Sequence, residues 1–268
     1  MSLHTTQENF QINYDVFNNI LPHTTLFLHG NLASNRWWMP MVEKLQAHGK
    51  NKAGAVICAE FRGCGQSQAP KNESDVTMLK FATDFIDLVK ANPTWGKVNI
   101  VGHSTGGLVA AYMLSLAPEL FNKAYLLDPV GSEGITFDTA MISAFDAMKQ
   151  DKALTATVIG STIYQNNAES SFFKNIIVED AFAAVKTVGH LVLKALDGLN
   201  LTNELKNVQH SVKVVHGEFD KLLPQADSEK LAALFKNGQF AVLKNCGHCG
   251  NIENTELFLS DMTSFLYN

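Results

Sequence analysis

The stretch Val98–Ala111 constrains this chain more than any other. Three β-branched residues, Val98, Ile100 and Val101, lead into Gly102-His103-Ser104-Thr105-Gly106-Gly107, after which Leu108 to Ala117 is rich in helix formers. β-branched side chains suit a pleated surface and small or unbranched ones suit a helix, so the pattern reads as strand, sharp turn, helix. Glycines 102 and 106 flank Ser104 with the spacing Gly-x-Ser-x-Gly. There a strained turn needs neighbours without side chains, so that the serine oxygen stands clear of the sheet. A chain with 18 Gly and 15 Ser in 268 residues meets that pentapeptide by accident about 0.07 times. The alternative is a serine that merely caps the helix from Leu108 onward. The rest of the chain has to decide between them.

Around this stretch, apolar runs alternate with helical patterns. Phe10, Ile12, Tyr14 and Val16 alternate weakly, as an edge strand or hairpin does. Thr24–Leu28, Ala53–Phe61, Ala124–Leu127, Val212–Val215 and Phe240–Leu243 are short apolar runs, the mark of strands buried on both faces of a parallel sheet. Helical spacing of apolar residues covers 34–47, 77–91, 224–235 and 256–267, the second closed by Asn92-Pro93. Such alternation predicts right-handed crossovers and a mostly parallel, doubly wound α/β sheet. It breaks after Gly131. From 137 to 201 the patterns are helical only (137–148, 154–164, 172–177 and 181–199), although Thr155–Ile163 is rich in β-branched residues. The expected organisation is therefore an α/β core formed by 1–130 and 210–268, with 131–209 inserted as an all-helical cap.

Composition limits the partners. A hydrophobic content of 46% against 18% charged residues belongs to a core-forming chain. With a formal net charge of −5 and no run of five like charges, there is no electrostatic footprint for nucleic acid or an anionic membrane. Met1–Phe10 is polar and holds no Lys or Arg ahead of an apolar stretch, so a secretory signal is not expected. No stretch approaches the roughly 18 apolar residues of a membrane span. The expectation is a cytoplasmic protein with a small-molecule partner; oligomeric state leaves no signal. Cys246-Gly247-His248-Cys249 has the spacing of a metal-binding pair, but the second pair that a structural zinc site needs is missing. No metal and no cofactor are expected, and a redox role for the two thiols stays open.

In a parallel sheet the residues that follow each strand gather on one edge. Here those are His29-Gly30-Asn31, Arg62-Gly63, Ser104, Asp128, Asp220 and His248. A serine hydroxyl needs an imidazole to take its proton and a carboxylate to hold the imidazole's tautomer. Ser104, Asp220 and His248 supply these in chain order, with Asp128 an alternative for the acid. Five pieces then resemble the α/β-hydrolase superfamily over nearly the full length: His29-Gly30, Arg62-Gly63-Cys64-Gly65-Gln66-Ser67, Gly102–Gly107, His216-Gly217-Glu218-Phe219-Asp220 with Pro224, and Gly247-His248 with Glu253. One departure is Glu60, where many relatives have aspartate.

The resemblance implies Ser104 as nucleophile, His248 as general base and then acid, and Asp220 as its orienting partner. The backbone N–H groups of Asn31 and Thr105 would form the oxyanion hole, where a donor is typically worth about 3 kcal/mol. His29, His103 and His216 read as supports, and Trp37 and Trp38 as core. Relatives that displace halide or open epoxides use aspartate as nucleophile, so serine implies acyl transfer. Phe137, Met141, Phe145 and Tyr164 of the insertion are the candidate pocket, roofing a site for a neutral, mostly apolar acyl group. The reaction expected is hydrolysis of a carboxylic ester, lactone or thioester. Carbon–carbon bond hydrolysis, perhydrolysis and a non-catalytic ligand receptor remain as alternatives.

Overall fold

The structure is a computed structural model, and it describes residues 1–48, 52–136 and 139–268. Eight strands, β1 (Ser2–Thr5), β2 (Gln11–Leu21), β3 (Thr25–Leu28), β4 (Gly54–Ala59), β5 (Val98–His103), β6 (Phe121–Leu127), β7 (Ser211–Gly217) and β8 (Asn237–Leu243), form one sheet in the order β1-β2-β4-β3-β5-β6-β7-β8. The hairpin β1–β2 pairs antiparallel with itself and with β4; every other pairing is parallel. The weak alternation near Phe10–Val16 is thus the start of a long second strand. The fully apolar runs are the central strands: every residue of β3, β4 and β5 is buried.

Helices cover both faces because both faces are apolar. Helices α1 (Met39–His48) and α11 (Thr255–Tyr267) lie on one side, where Trp38, Met41, Phe258 and Met262 pack with Phe27 and Tyr125. Helices α2 (Met78–Lys90) and α3 (Thr105–Leu116) lie on the other, where Phe81, Phe85, Leu108 and Val109 pack on Leu26, Ile57 and Ile100. Thr77 starts α2 by accepting the N–H of Lys80, as a helix cap does. Arg62, buried at the end of β4, holds Asp84 of α2 with two hydrogen bonds of 2.6 Å and lies 3.9 Å over the ring of Phe10. Glu60 accepts from Asn13 (2.9 Å) and Gln66 (2.7 Å), and its carboxyl lies where a side chain on Gly65 would have to be; that residue sits at φ +52°.

Between β6 and β7 the described residues form helices and turns but no strand: α4 (Thr139–Met148), α5 (Lys152–Ser161), α6 (Val178–Ala184), α7 (His190–Leu196) and α8 (Thr202–Leu205). The patterns at 172–177 and 181–199 belong to one longer helical run. Within it, Phe173–Ile177 and Val185–Gly189 are π-helical turns on either side of α6. A π turn inserts a residue and shifts the apolar face, which is why the periodicity looked interrupted. This segment is tied to the strand loops. Asp180 accepts from Ser34 Oγ at 2.6 Å and pairs with Arg36, Asn31 Nδ2 donates to the Gly189 carbonyl at 3.1 Å, and Thr187 Oγ1 donates to the Gly63 carbonyl at 2.7 Å. Helices α9 (Gln225–Leu234) and α10 (Gly250–Glu253) complete the chain. No helix among the described residues is long and apolar enough to cross a membrane.

Candidate active site

Ser104 sits between β5 and α3 at φ +55° and ψ −121°, a conformation that L-residues rarely adopt and that the surroundings must enforce. The reason for the flanking glycines is steric. A side chain on Gly102 would come within 2.3 Å of the Gly106 carbonyl, and one on Gly106 within 2.5 Å of the Leu28 and His29 carbonyls. Two backbone bonds pin the turn, Ser104 N–H to the Leu127 carbonyl (3.0 Å) and Val130 N–H to the Ser104 carbonyl (3.2 Å). The Ser104 side chain makes no capping bond to α3, so its hydroxyl is not spent on the helix.

His248 follows β8, and Asp220 lies three residues past β7. They meet: His248 Nδ1 is 2.8 Å from Asp220 Oδ2. A carboxylate can only accept, so Nδ1 carries a proton and donates it to Asp220, which leaves Nε2 as the ring nitrogen not engaged by the acid. Burial alone would raise the Asp220 carboxyl; the bond and charge of His248 and the N–H groups of Leu222 (2.7 Å) and Leu223 (3.2 Å) outweigh it and hold the group below the usual carboxylate value. Ser104 and His248 lie on the wall of one cavity, with Asn31 and Thr105 beside them. As the first residue of α3, Thr105 has no partner for its N–H within the helix. The Ser104 hydroxyl has no hydrogen-bond partner among the described residues; such bonds are often long before substrate arrives.

The supporting histidines are buried and neutral. Burial lowers His103 to about 3, and its Nε2–H donates to the His248 carbonyl at 2.8 Å. Burial lowers His29 to about 4; its Nδ1–H donates to the Gly30 carbonyl (2.7 Å) while Nε2 accepts from Phe61 N–H (3.3 Å). His216 is lowered too, chiefly by burial, and its Nδ1 contacts Ser228 Oγ at 3.0 Å.

Two features escaped the sequence reading. Glu253, noticed only as part of a motif, grips the backbone on both sides of His248. Oε2 accepts from Gly247 N–H and Oε1 from Cys249 N–H (3.0 Å), and Oε1 also takes Tyr164 N–H (2.9 Å) from the helical segment. Asp128, weighed as an alternative acid, is fully buried beside Asp220. Its Oδ1 accepts from Gly217 N–H at 2.6 Å, and it makes no bond to His248.

The cavity measures about 140 Å³. Of the four residues expected to roof it, Met141 and Phe145 line it. Tyr164 does not: its ring stacks on Phe219 at 4.4 Å, and its backbone is held by Glu253 outside the cavity. Phe137 lies outside the described residues. Trp37, read as core, is 2% exposed and yet contributes to the wall, as do Val158, Leu193 and Leu196. None of the described wall residues is charged. Cys249 also reaches the wall, where burial pushes its thiol well above the usual range.

Comparison with known proteins agrees with the geometry. The family model for the alpha/beta hydrolase fold matches residues 25–255. The chain is 23% identical over 250 residues to a 2-hydroxy-6-oxo-2,4-heptadienoate hydrolase of Pseudomonas putida, covering 85% of this chain and 82% of the relative. It is 26% identical over 257 residues to a non-heme chloroperoxidase of Streptomyces lividans, covering 90% of each. Its fold matches the enol-lactonase from Burkholderia xenovorans LB400 with a TM-score of 0.83 at 17% identity, over 100% of both chains. With an eight-stranded, mostly parallel sheet and a family match across most of its length, the chain belongs to the alpha/beta-hydrolase family and is a hydrolase.

Proposed function

We propose that this hydrolase cleaves small, neutral, mostly apolar carboxylic esters, lactones or thioesters through an acyl-enzyme on Ser104. His248 Nε2 takes the hydroxyl proton as the oxygen attacks the carbonyl, and returns it to the leaving group. Asp220 holds the imidazole and stabilises its cationic form. The developing oxyanion is met by the N–H groups of Asn31 and Thr105. Water, activated by the same imidazole, then releases the acid. Residues 131–209 act as the cap that shuts water out and shapes the acyl pocket, and no cofactor takes part.

The observation that carries this reading is the shared cavity: Ser104 and His248 on one apolar wall, with His248 tied to Asp220 behind it. Its size supports a small acyl group, since a dry cavity of roughly 150 Å³ holds about one benzene ring. Its lack of charge disfavours the second reading, carbon–carbon hydrolysis of a dienoate such as the Pseudomonas relative is named for. A substrate carboxylate would find no cationic partner on the described wall. A series of p-nitrophenyl esters tests this: kcat/KM should be highest for acetyl to butanoyl and fall at least tenfold by octanoyl. Equal rates for acetyl and octanoyl, or faster turnover of a dienoate, would contradict it.

A further inference from the structure

Two carboxyl groups meet beyond the ends of β6 and β7, and they are partnered unequally. Asp220 accepts from Leu222 and Leu223 N–H on Oδ1 and from His248 on Oδ2. Asp128 accepts from Gly217 N–H on Oδ1 alone; its Oδ2 is buried with no partner among the described residues. One atom each of Asp128, His216 and Asp220 lie within 4.8 Å of one another. His216 does not fill the gap. Its ring is 3.6 Å from Asp128 Oδ1 and 3.9 Å from Asp220 Oδ2, beyond hydrogen-bond length. Two carboxylates this close, with one of them fully buried, do not both stay charged, and the one with fewer donors takes the proton.

We propose that Asp128 is a positioning residue held as the neutral acid, whose Oδ2–H donates a hydrogen bond to the Asp220 carboxylate and so fixes the group that orients His248. Burial first, then the charge of Asp220, pushes the Asp128 carboxyl well above its usual value. Asp220 then uses both oxygens on a fixed set of donors. The placement is deliberate in the backbone too. Asp128 sits at φ +43°, its N–H bonded to the Val215 carbonyl at 2.8 Å, and two residues on, Val130 bonds the carbonyl of Ser104. One strained turn therefore bonds both the serine and the strand that leads to Asp220.

The consequence for catalysis rests on the triad reading above. A donor to Asp220 disperses its negative charge and weakens its pull on the imidazolium; removing that donor strengthens the pull. The groups facing Asp128 are Tyr125 on its own strand, Asp220 and His216 from β7 and its loop, and Glu253, Cys246 and Cys249 from the His248 loop. His248 is faced by His103, His216, Asp220 and Glu253.

Infrared spectroscopy reads the proton without reference to turnover. The difference between wild type and Asp128→Asn at pH 8 should contain the carbonyl stretch of a neutral carboxylic acid, present in wild type only. In kinetics with a short ester, Asp128→Leu should lower kcat/KM about tenfold and move the acid limb of its pH profile upward. Asp128→Asn, which keeps a donor and an acceptor, should restore most of the rate and return the limb. A wild type without the infrared band overturns the proposal, as does an asparagine variant as crippled as Asp220→Ala, or a leucine variant whose acid limb does not move. If Ser104→Ala kept full turnover, the triad reading would fall, while the infrared band would still decide the state of Asp128.

Discussion

At the C-terminal edge of the sheet, Ser104, Asp128, His248 and the side chain of Asp220 are buried polar groups held by strained turns and backbone donors. The helical segment between β6 and β7 contributes Met141, Phe145, Val158, Leu193 and Leu196 to the same cavity and no charged residue to its described wall. The contrast divides the labour. The edge has the donors, acceptors and proton carriers that chemistry needs, and His248 and Asp220 are fixed to each other by a specific bond. The helices contribute an apolar wall, which on the function proposed above would strengthen the electrostatic interactions at the edge and select substrates by size. Substitutions at the edge should therefore act on kcat, and those in the helices on the ratio between substrates.

The largest expected effect is at the edge. Asp220→Ala should reduce kcat on a short ester by about 10⁴-fold, because the imidazole loses its tautomer and its counter-charge. A small loss there, with a collapse in Asp128→Ala, would reverse the assignment of the acid. A smaller effect is expected from the helices. Phe145→Ala enlarges the cavity and should raise the octanoyl-to-acetyl ratio of kcat/KM about tenfold, a change in specificity of the size that one or two methylenes carry. If that variant instead lowered kcat uniformly for all esters, the division of labour would be wrong.

How much of this could be read from the chain follows the same contrast. The edge was legible because its signals are local: glycines beside Ser104, the Gly-Glu-x-Asp turn, the Gly-His loop after the last strand. The neighbourhood of Asp128 and Asp220 was not, since it depends on β6 and β7 lying side by side although 83 residues separate them in the chain. The helical segment was legible as helix but not in its facing. Its facing is set by tertiary packing that composition does not record: Tyr164 packs on Phe219, and Met148 and Phe173 are core, while Leu193 and Leu196, beyond two π turns, line the wall.

The smallest predicted effect is on stability. His29 and His103 stay neutral in the fold down to about 4 and about 3, while in the unfolded chain they protonate near the ordinary value. Unfolding therefore takes up protons in that window, and these two groups make the fold less stable as pH falls through it. His103→Gln should lose less Tm than wild type between pH 7 and pH 4.5, by a few degrees. Parallel curves for the two proteins would mean that His103 is not held neutral.

The central claim is that Ser104 is an activated nucleophile, and covalent labelling tests it most directly. A fluorophosphonate should attach stoichiometrically to Ser104, identified by peptide mass spectrometry, with labelling lost in Ser104→Ala and slowed by about 10³-fold or more in His248→Ala while both variants melt near the wild-type Tm. Labelling at another serine, or equal labelling of wild type and His248→Ala, would contradict the account.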